Sequence, residues 1–267
     1  MPVLRVPEPY DFELSVERFF YWGLDRANVW QAGGLHRVVE GREVRIERAR
    51  GGVRVEPLDD AIEPVVRKLL GLEFVLEPFY EFAGGEPVLA GVVPRLAGFR
   101  PPLAPDPFES LVTSITAQQV SLFAAFAVRT RMIERFGRRG ELAVGFPTRG
   151  RIAAADEDEL VALGFSRRKA EYVIGLARDE IDLDALAALE DDEVRARLTA
   201  IRGLGPWTAE WFLARHLARP RAWPAGDLGL RRAAEVLYGL DVHELGRRLD
   251  PFQNLSAHYL LTGLRVA

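Results

Sequence analysis

The chain has 267 residues, 48% of them hydrophobic, with a formal net charge of −4 and no cysteine. This length and apolar content suffice to bury one large core or two moderate ones, and no low-complexity tract interrupts them. The absence of cysteine excludes a disulfide framework and a thiolate-held iron–sulfur cluster, and no apolar run approaches membrane-spanning length.

The first 57 residues alternate apolar and polar side chains, as in His36-Arg37-Val38-Val39-Glu40 and Val44-Arg45-Ile46-Glu47-Arg48, between turns at Gly33-Gly34, Gly41 and Gly51-Gly52. Such alternation predicts an antiparallel sheet. Leu58 to Leu70 has helical spacing, and short helices carry the chain to Pro94, so residues 1–93 are expected to form a small α+β domain. From Pro107 to Leu264 the spacing is helical, broken by glycine and proline loops, so residues 94–267 are expected to be an all-helical region. The N-terminus has no signal-peptide apolar segment, which makes the cytoplasm the expected location.

The most informative stretch lies in the second region. Val194, Leu198 and Ile201 are spaced three or four apart, the pattern stops at Gly203-Leu204-Gly205, and it resumes at Pro206. Two helices joined by a tight glycine turn follow. Gly203 and Gly205 permit positive φ and close backbone approach, and Pro206 suits a first helical turn. Such a turn directs backbone amides and a positive helix end outward, toward a phosphate. The contact is blind to base sequence.

Ile201-Arg202-Gly203-Leu204-Gly205-Pro206-Trp207-Thr208-Ala209 and Trp223-Pro224-Ala225-Gly226-Asp227-Leu228-Gly229 together resemble the helix-hairpin-helix (HhH-GPD) DNA glycosylases, and within them the bacterial 3-methyladenine DNA glycosylase II branch. Pro105 to Val112 and Ser114 to Ser121 look like the entry helix and Gln-Gln segment of that family, and Gly164 to Ala170 is similar to its next element. The resemblance is specific over roughly residues 94–240 and implies an α+β protein acting on alkylated double-stranded DNA as a monomer, away from membranes.

The same resemblance assigns roles. Asp227 would be the carboxylate that stabilises the positive sugar as the base departs, while as a residue type it also suits a helix N-cap. Trp207 and Trp211, four apart, match base-pocket aromatics and would stack on a flipped cationic purine, although tryptophans at that spacing also fill cores. Arg202, Gly203, Leu204, Gly205 and Thr208 would contact DNA with Thr116, Gln118 and Gln119. The position of the Schiff-base lysine of bifunctional relatives is Trp207, and Lys68 and Lys169, the only lysines, lie outside the motif. A monofunctional enzyme follows. No cofactor or metal is required, though the family's hairpin carbonyls could hold a monovalent cation.

Three features depart from the family pattern. Thr116 stands where a bulky apolar wedge belongs, leaving Gln118 or Gln119 to fill the gap in the base stack. Leu261 falls near a pocket tryptophan of a relative, a change that would open or reshape the pocket; Tyr259 and His258 beside it could compensate, though such residues more often serve packing or surface. The charge is −5 over residues 1–94 and +1 over 95–267, which predicts weak nonspecific grip on DNA. Arg167, Arg168 and Lys169 read as a solvated face. Two other functions fit: a lesion-binding protein without chemistry, and a glycosylase for deaminated or oxidised bases, for which no donor near the motif was evident to help a neutral base leave.

Overall fold

A computed structural model describes residues 3–265. In chain order it comprises β1 (Val3–Leu4), α1 (Phe12–Val16), α2 (Arg18–Tyr21), β2 (Val29–Gln31), β3 (Gly34–Val39), β4 (Arg42–Ala49), β5 (Gly52–Glu56), α3 (Ile62–Leu69), α4 (Glu77–Gly84) and α5 (Leu89–Val92). These are followed by α6 (Pro107–Ala117), α7 (Leu122–Phe136), α8 (Arg149–Ala153), α9 (Glu157–Ala162), α10 (Arg167–Arg178), α11 (Asp191–Ala200), α12 (Pro206–Arg215), α13 (Leu228–Ala233), α14 (Val242–Arg248) and α15 (Gln253–Arg265). The α+β class read from the sequence is the class observed.

The sheet is antiparallel, in the order β1-β5-β4-β3-β2. Glu40 and Gly41 both have positive φ, as a tight two-residue hairpin between β3 and β4 requires. Register places Leu35 opposite Ile46 and Ile46 opposite Val55, so one face is continuously apolar. That face is covered by Ile62, Val66 and Leu69 of α3 and by Phe12 and Val16 of α1. Two polar residues of β3, His36 and Arg37, are also buried, on opposite faces of the strand. Arg37 reaches Glu109 of α6, so a buried ion pair ties the sheet to the helical body.

Two apolar cores fill the helical body. One joins Phe108, Leu111 and Ile115 of α6 to Ile133 of α7, Val173 of α10, Val194 and Leu198 of α11 and Phe212 of α12. The second joins Phe79 of α4 and Leu89 of α5 to Leu230 of α13, Leu245 of α14 and Tyr259 and Leu260 of α15. This core therefore spans residue 94, with helices from before that position packed on the last three. A cleft of about 1270 Å³ opens between the cores and the sheet.

Candidate active site

The hairpin forms where its glycines place it. α11 ends at Ala200, Gly203 turns in the left-handed region at φ +94°, Leu204 is buried, and α12 begins at Pro206 with Gly205 as its cap. A Cβ at Gly203 would sit 2.2 Å from Cγ of Tyr172, so both φ and space demand glycine. Gly203→Ala is expected to lower the unfolding free energy by about 1–3 kcal/mol. Urea unfolding measures this, and a variant as stable as the parent would mean the turn does not need this conformation.

The amides of Gly203, Gly205 and Trp207 donate to no acceptor among the described residues, and they sit at the positive end of α12. Gln118 ties the turn to α6, with Nε2 donating to the Gly203 carbonyl at 2.9 Å and lying 3.5 Å from the Thr208 hydroxyl. Thr208 is itself buried. Arg202 is exposed and paired through one nitrogen with Glu171 at 3.0 Å, which leaves its other N–H donors open to a phosphate. The carbonyls of Ile201, Gly203 and Gly205 each already accept a hydrogen bond, from Leu204, Gln118 and the Thr208 and Ala209 amides respectively. A monovalent cation there would share them.

Thr116 is not placed as a wedge. Its side chain is buried, its hydroxyl donates to the Val112 carbonyl at 2.8 Å, and its own carbonyl accepts Lys169 Nζ at 2.9 Å. Residue 116 lies on the part of α6 that meets α10, and a wedge must project into DNA. The neighbouring segment is the exposed one: Gln119 at φ +56°, Val120, Leu122 and Phe123 are open to solvent, and Phe123 meets Trp22 edge-on at 5.4 Å.

Asp227 caps α13, with Oδ1 accepting the Leu230 amide at 3.2 Å. Its Oδ2 accepts the indole N–H of Trp207 at 3.3 Å and that of Trp211 at 3.2 Å. Capping and cleft-facing roles therefore coexist on one carboxylate. Trp211 lines the cleft but is the more enclosed of the two tryptophans. It is 2% exposed, the Arg215 guanidinium lies 3.4 Å from its ring centroid, and His258 meets it edge-on at 5.6 Å. One face of its ring carries the Arg215 guanidinium, and its N–H is held by Asp227. Trp207 is only half-buried and does line the cleft.

Arg18, Arg215, His258 and Leu261 also line the cleft; the sequence pointed to Leu261 and to a compensating His258, but to neither arginine. Arg215 had a signal, since positions 207, 211 and 215 share one face of α12. Arg18 had none. Burial lowers Arg18 to about 10, with Arg129 adding to the effect. Burial, then the charge of Arg18, holds Arg215 well below the usual arginine range, while Asp227 pulls the other way. His258 is pushed well below the usual imidazole range by burial and by both arginines. Beneath them Arg37, Glu109, Arg129 and Asp25 form a buried ionic chain. No lysine lines the cleft: Lys169 is spent on Thr116, and Lys68 lies 3.5 Å from His216 Nε2.

The model of the HhH-GPD superfamily of base excision DNA repair proteins matches residues 112–248, a span holding the hairpin, Trp207, Trp211 and Asp227. The chain belongs to this superfamily. Among its HhH-GPD relatives, a DNA-3-methyladenine glycosylase of Bacillus subtilis is 31% identical over 190 residues, covering 68% of this chain and 63% of that protein. DNA-3-methyladenine glycosylase 1 of Schizosaccharomyces pombe is 30% identical over 174 residues, covering 61% of this chain and 74% of that one. The chain thus spans under two thirds of the Bacillus relative. A solved 3-methyladenine DNA glycosylase from Archaeoglobus fulgidus superposes with a TM-score of 0.90 at 29% identity, covering 100% of this chain and 99% of that one. The sheet and both helical cores thus share the fold of that solved protein over its whole length.

Proposed function

We propose that this chain is a monofunctional DNA glycosylase that works as a monomer on double-stranded DNA, flips an alkylated purine into the cleft and hydrolyses the bond from base to deoxyribose with Asp227. The observation that carries the reading is the Asp227 carboxylate, fixed by two indole N–H groups and one backbone amide at the wall of a cleft beside an amide-rich hairpin. The names of the Bacillus, Schizosaccharomyces and Archaeoglobus relatives support the lesion class.

The chemistry follows from the geometry. The scissile bond is hidden in the duplex, so the nucleotide must rotate out before any side chain can reach it. The hairpin amides hold the backbone without reading bases, and the exposed apolar edge at Val120, Leu122 and Phe123 can fill the space left behind. Bond cleavage builds positive charge on the sugar, as in glycoside hydrolysis. A carboxylate that cannot rotate away is the group to oppose that charge and to take a proton from attacking water. The lack of a lysine in the cleft supports water rather than an amine as nucleophile.

The test is single-turnover reaction with duplexes carrying 3-methyladenine or 7-methylguanine. Free base should appear while the strand stays intact until alkali cleaves the abasic site, and borohydride should trap no protein–DNA adduct. Tight lesion binding with no base release would make the chain a damage-marking protein. A trapped adduct would overturn the monofunctional assignment.

A further inference from the structure

The cleft holds more positive charge than its carboxylates answer. Five arginines line it, and three are paired: Arg37 and Arg129 with Glu109 and Asp25, and Arg265 with Glu17. The guanidiniums of Arg18 and Arg215 make no hydrogen bond or ion pair among the described residues, and Arg215 Nε is enclosed without an acceptor. His258, 6% exposed, likewise has its Nε2 enclosed and unpartnered. Asp227 is the one carboxylate of the cleft left to balance the two arginines, and its oxygens accept two indole N–H groups and an amide rather than a guanidinium. The free charges are thus two positive against one negative. Buried charges are normally paired, and enclosed polar groups without partners mark the place of a water or an ion.

The three unpartnered groups are neighbours. Arg215 lies 3.4 Å from the centroid of the Trp211 ring and His258 meets the same ring edge-on at 5.6 Å. The charge of Arg18 acts on both of them. We infer that Arg18, Arg215 and His258 form a binding site for one small monovalent anion, a halide such as chloride, in the wall of the cleft. A single negative charge brings the free charges of the cleft to zero, whereas a phosphate dianion would overshoot. Guanidinium N–H groups are weakly hydrated donors suited to an anion, and the low imidazole value lets His258 stay neutral and donate through Nε2 without adding charge. Trp211, Phe99 and Leu261 make other walls of the cleft apolar, which favours an anion that gives up its water readily.

The anion has a consequence for Asp227. Arg215 and Asp227 already feel each other's charge, and two guanidiniums without another counter-charge draw on that carboxylate. A halide held by the arginines answers them instead and leaves the negative charge of Asp227 to the sugar. A wall neutralised in this way also suits the purine cation of the proposed function. The site itself does not depend on that function, because it is built from groups of the free protein.

The experiment follows thermal unfolding of the DNA-free wild-type protein as sodium chloride replaces sodium gluconate at constant ionic strength. The midpoint should rise with chloride, by about 3–5 °C where chloride is some tenfold above its dissociation constant. In Arg215→Gln and Arg18→Gln, each checked for native circular dichroism, the chloride-dependent rise should disappear. Should neither variant fold, wild-type crystals soaked in sodium bromide decide, with an anomalous peak expected against both guanidiniums at bromide concentrations that stabilise the protein in solution. Equal midpoints in chloride and gluconate would overturn the inference, as would an undiminished chloride effect in a folded Arg215→Gln. A bromide peak seen only at far higher concentration, without stabilisation in solution, would mean an adventitious ion only and would overturn it too. No DNA is present, so failure here leaves the glycosylase reading untouched.

Discussion

Asp227→Asn is expected to leave the fold and DNA affinity nearly intact while lowering the rate of base release by about a thousandfold or more. The substitution is close to isosteric, and asparagine is as good a helix N-cap as aspartate, so the Leu230 amide keeps an acceptor. The new amide cannot reproduce the other face of the carboxylate. Its oxygen can serve the cap or the indoles but not both in the present geometry, and its NH2 would confront the N–H groups of Trp207 and Trp211. Cost to stability should stay near ~1 kcal/mol, the scale of a weakened cap. The cost to chemistry is larger because the negative charge opposite the developing sugar cation is gone. Single-turnover release from a 7-methylguanine duplex at saturating protein isolates that step from binding. A loss below about tenfold in a well-folded variant would reduce Asp227 to a cap and remove the basis of the proposed mechanism.

Asp227 and the hairpin were legible because their signals are local. Gly203, Gly205 and Pro206 dictate a turn within four residues, and Asp227 opens a helix in a proline-rich loop, so neighbouring sequence alone defines their backbone. The alternating strands of residues 34–56 were legible for the same reason, each being paired with the next one along the chain. What sequence did not disclose are side-chain directions and long-range meetings. The helical spacing of Trp207 and Trp211 says that they share a face, but not that both turn their N–H toward a carboxylate 16 to 20 residues away. Thr116 has the register of a wedge, yet the packing of α6 on α10 turns it inward. Arg18 reaches the cleft from α2, across the whole sheet domain in sequence, and His258 comes from α15. Their encounter with Arg215 is a product of tertiary folding, which no local pattern announces.

Glu109→Gln is expected to destabilise the protein by about 3–5 kcal/mol, the scale on which breaking a buried ion pair from one side is felt. Glu109 is the centre of the chain of charges joining sheet to helices. Arg37 of β3 donates to both its oxygens, Arg129 of α7 donates to Oε1 at 2.6 Å, and Arg129 also pairs with Asp25, which holds Asn28 at 2.8 Å. Two buried guanidiniums therefore share two carboxylates, and removing one charge leaves the pair of arginines facing each other with a single counter-charge. Burial by itself would raise the Glu109 carboxyl, but Arg37 and Arg129 hold it below its ordinary value of 4.5. The sign of the linkage follows: this contribution is fully present above the unfolded value near 4.5 and is lost as pH falls through the lower folded value. Wild type should thus lose stability on acidification through that window more steeply than Glu109→Gln. Thermal unfolding at neutral pH and again in that window measures both effects. A penalty under about 1 kcal/mol at neutral pH would mean that water or rearranged side chains replace the carboxylate.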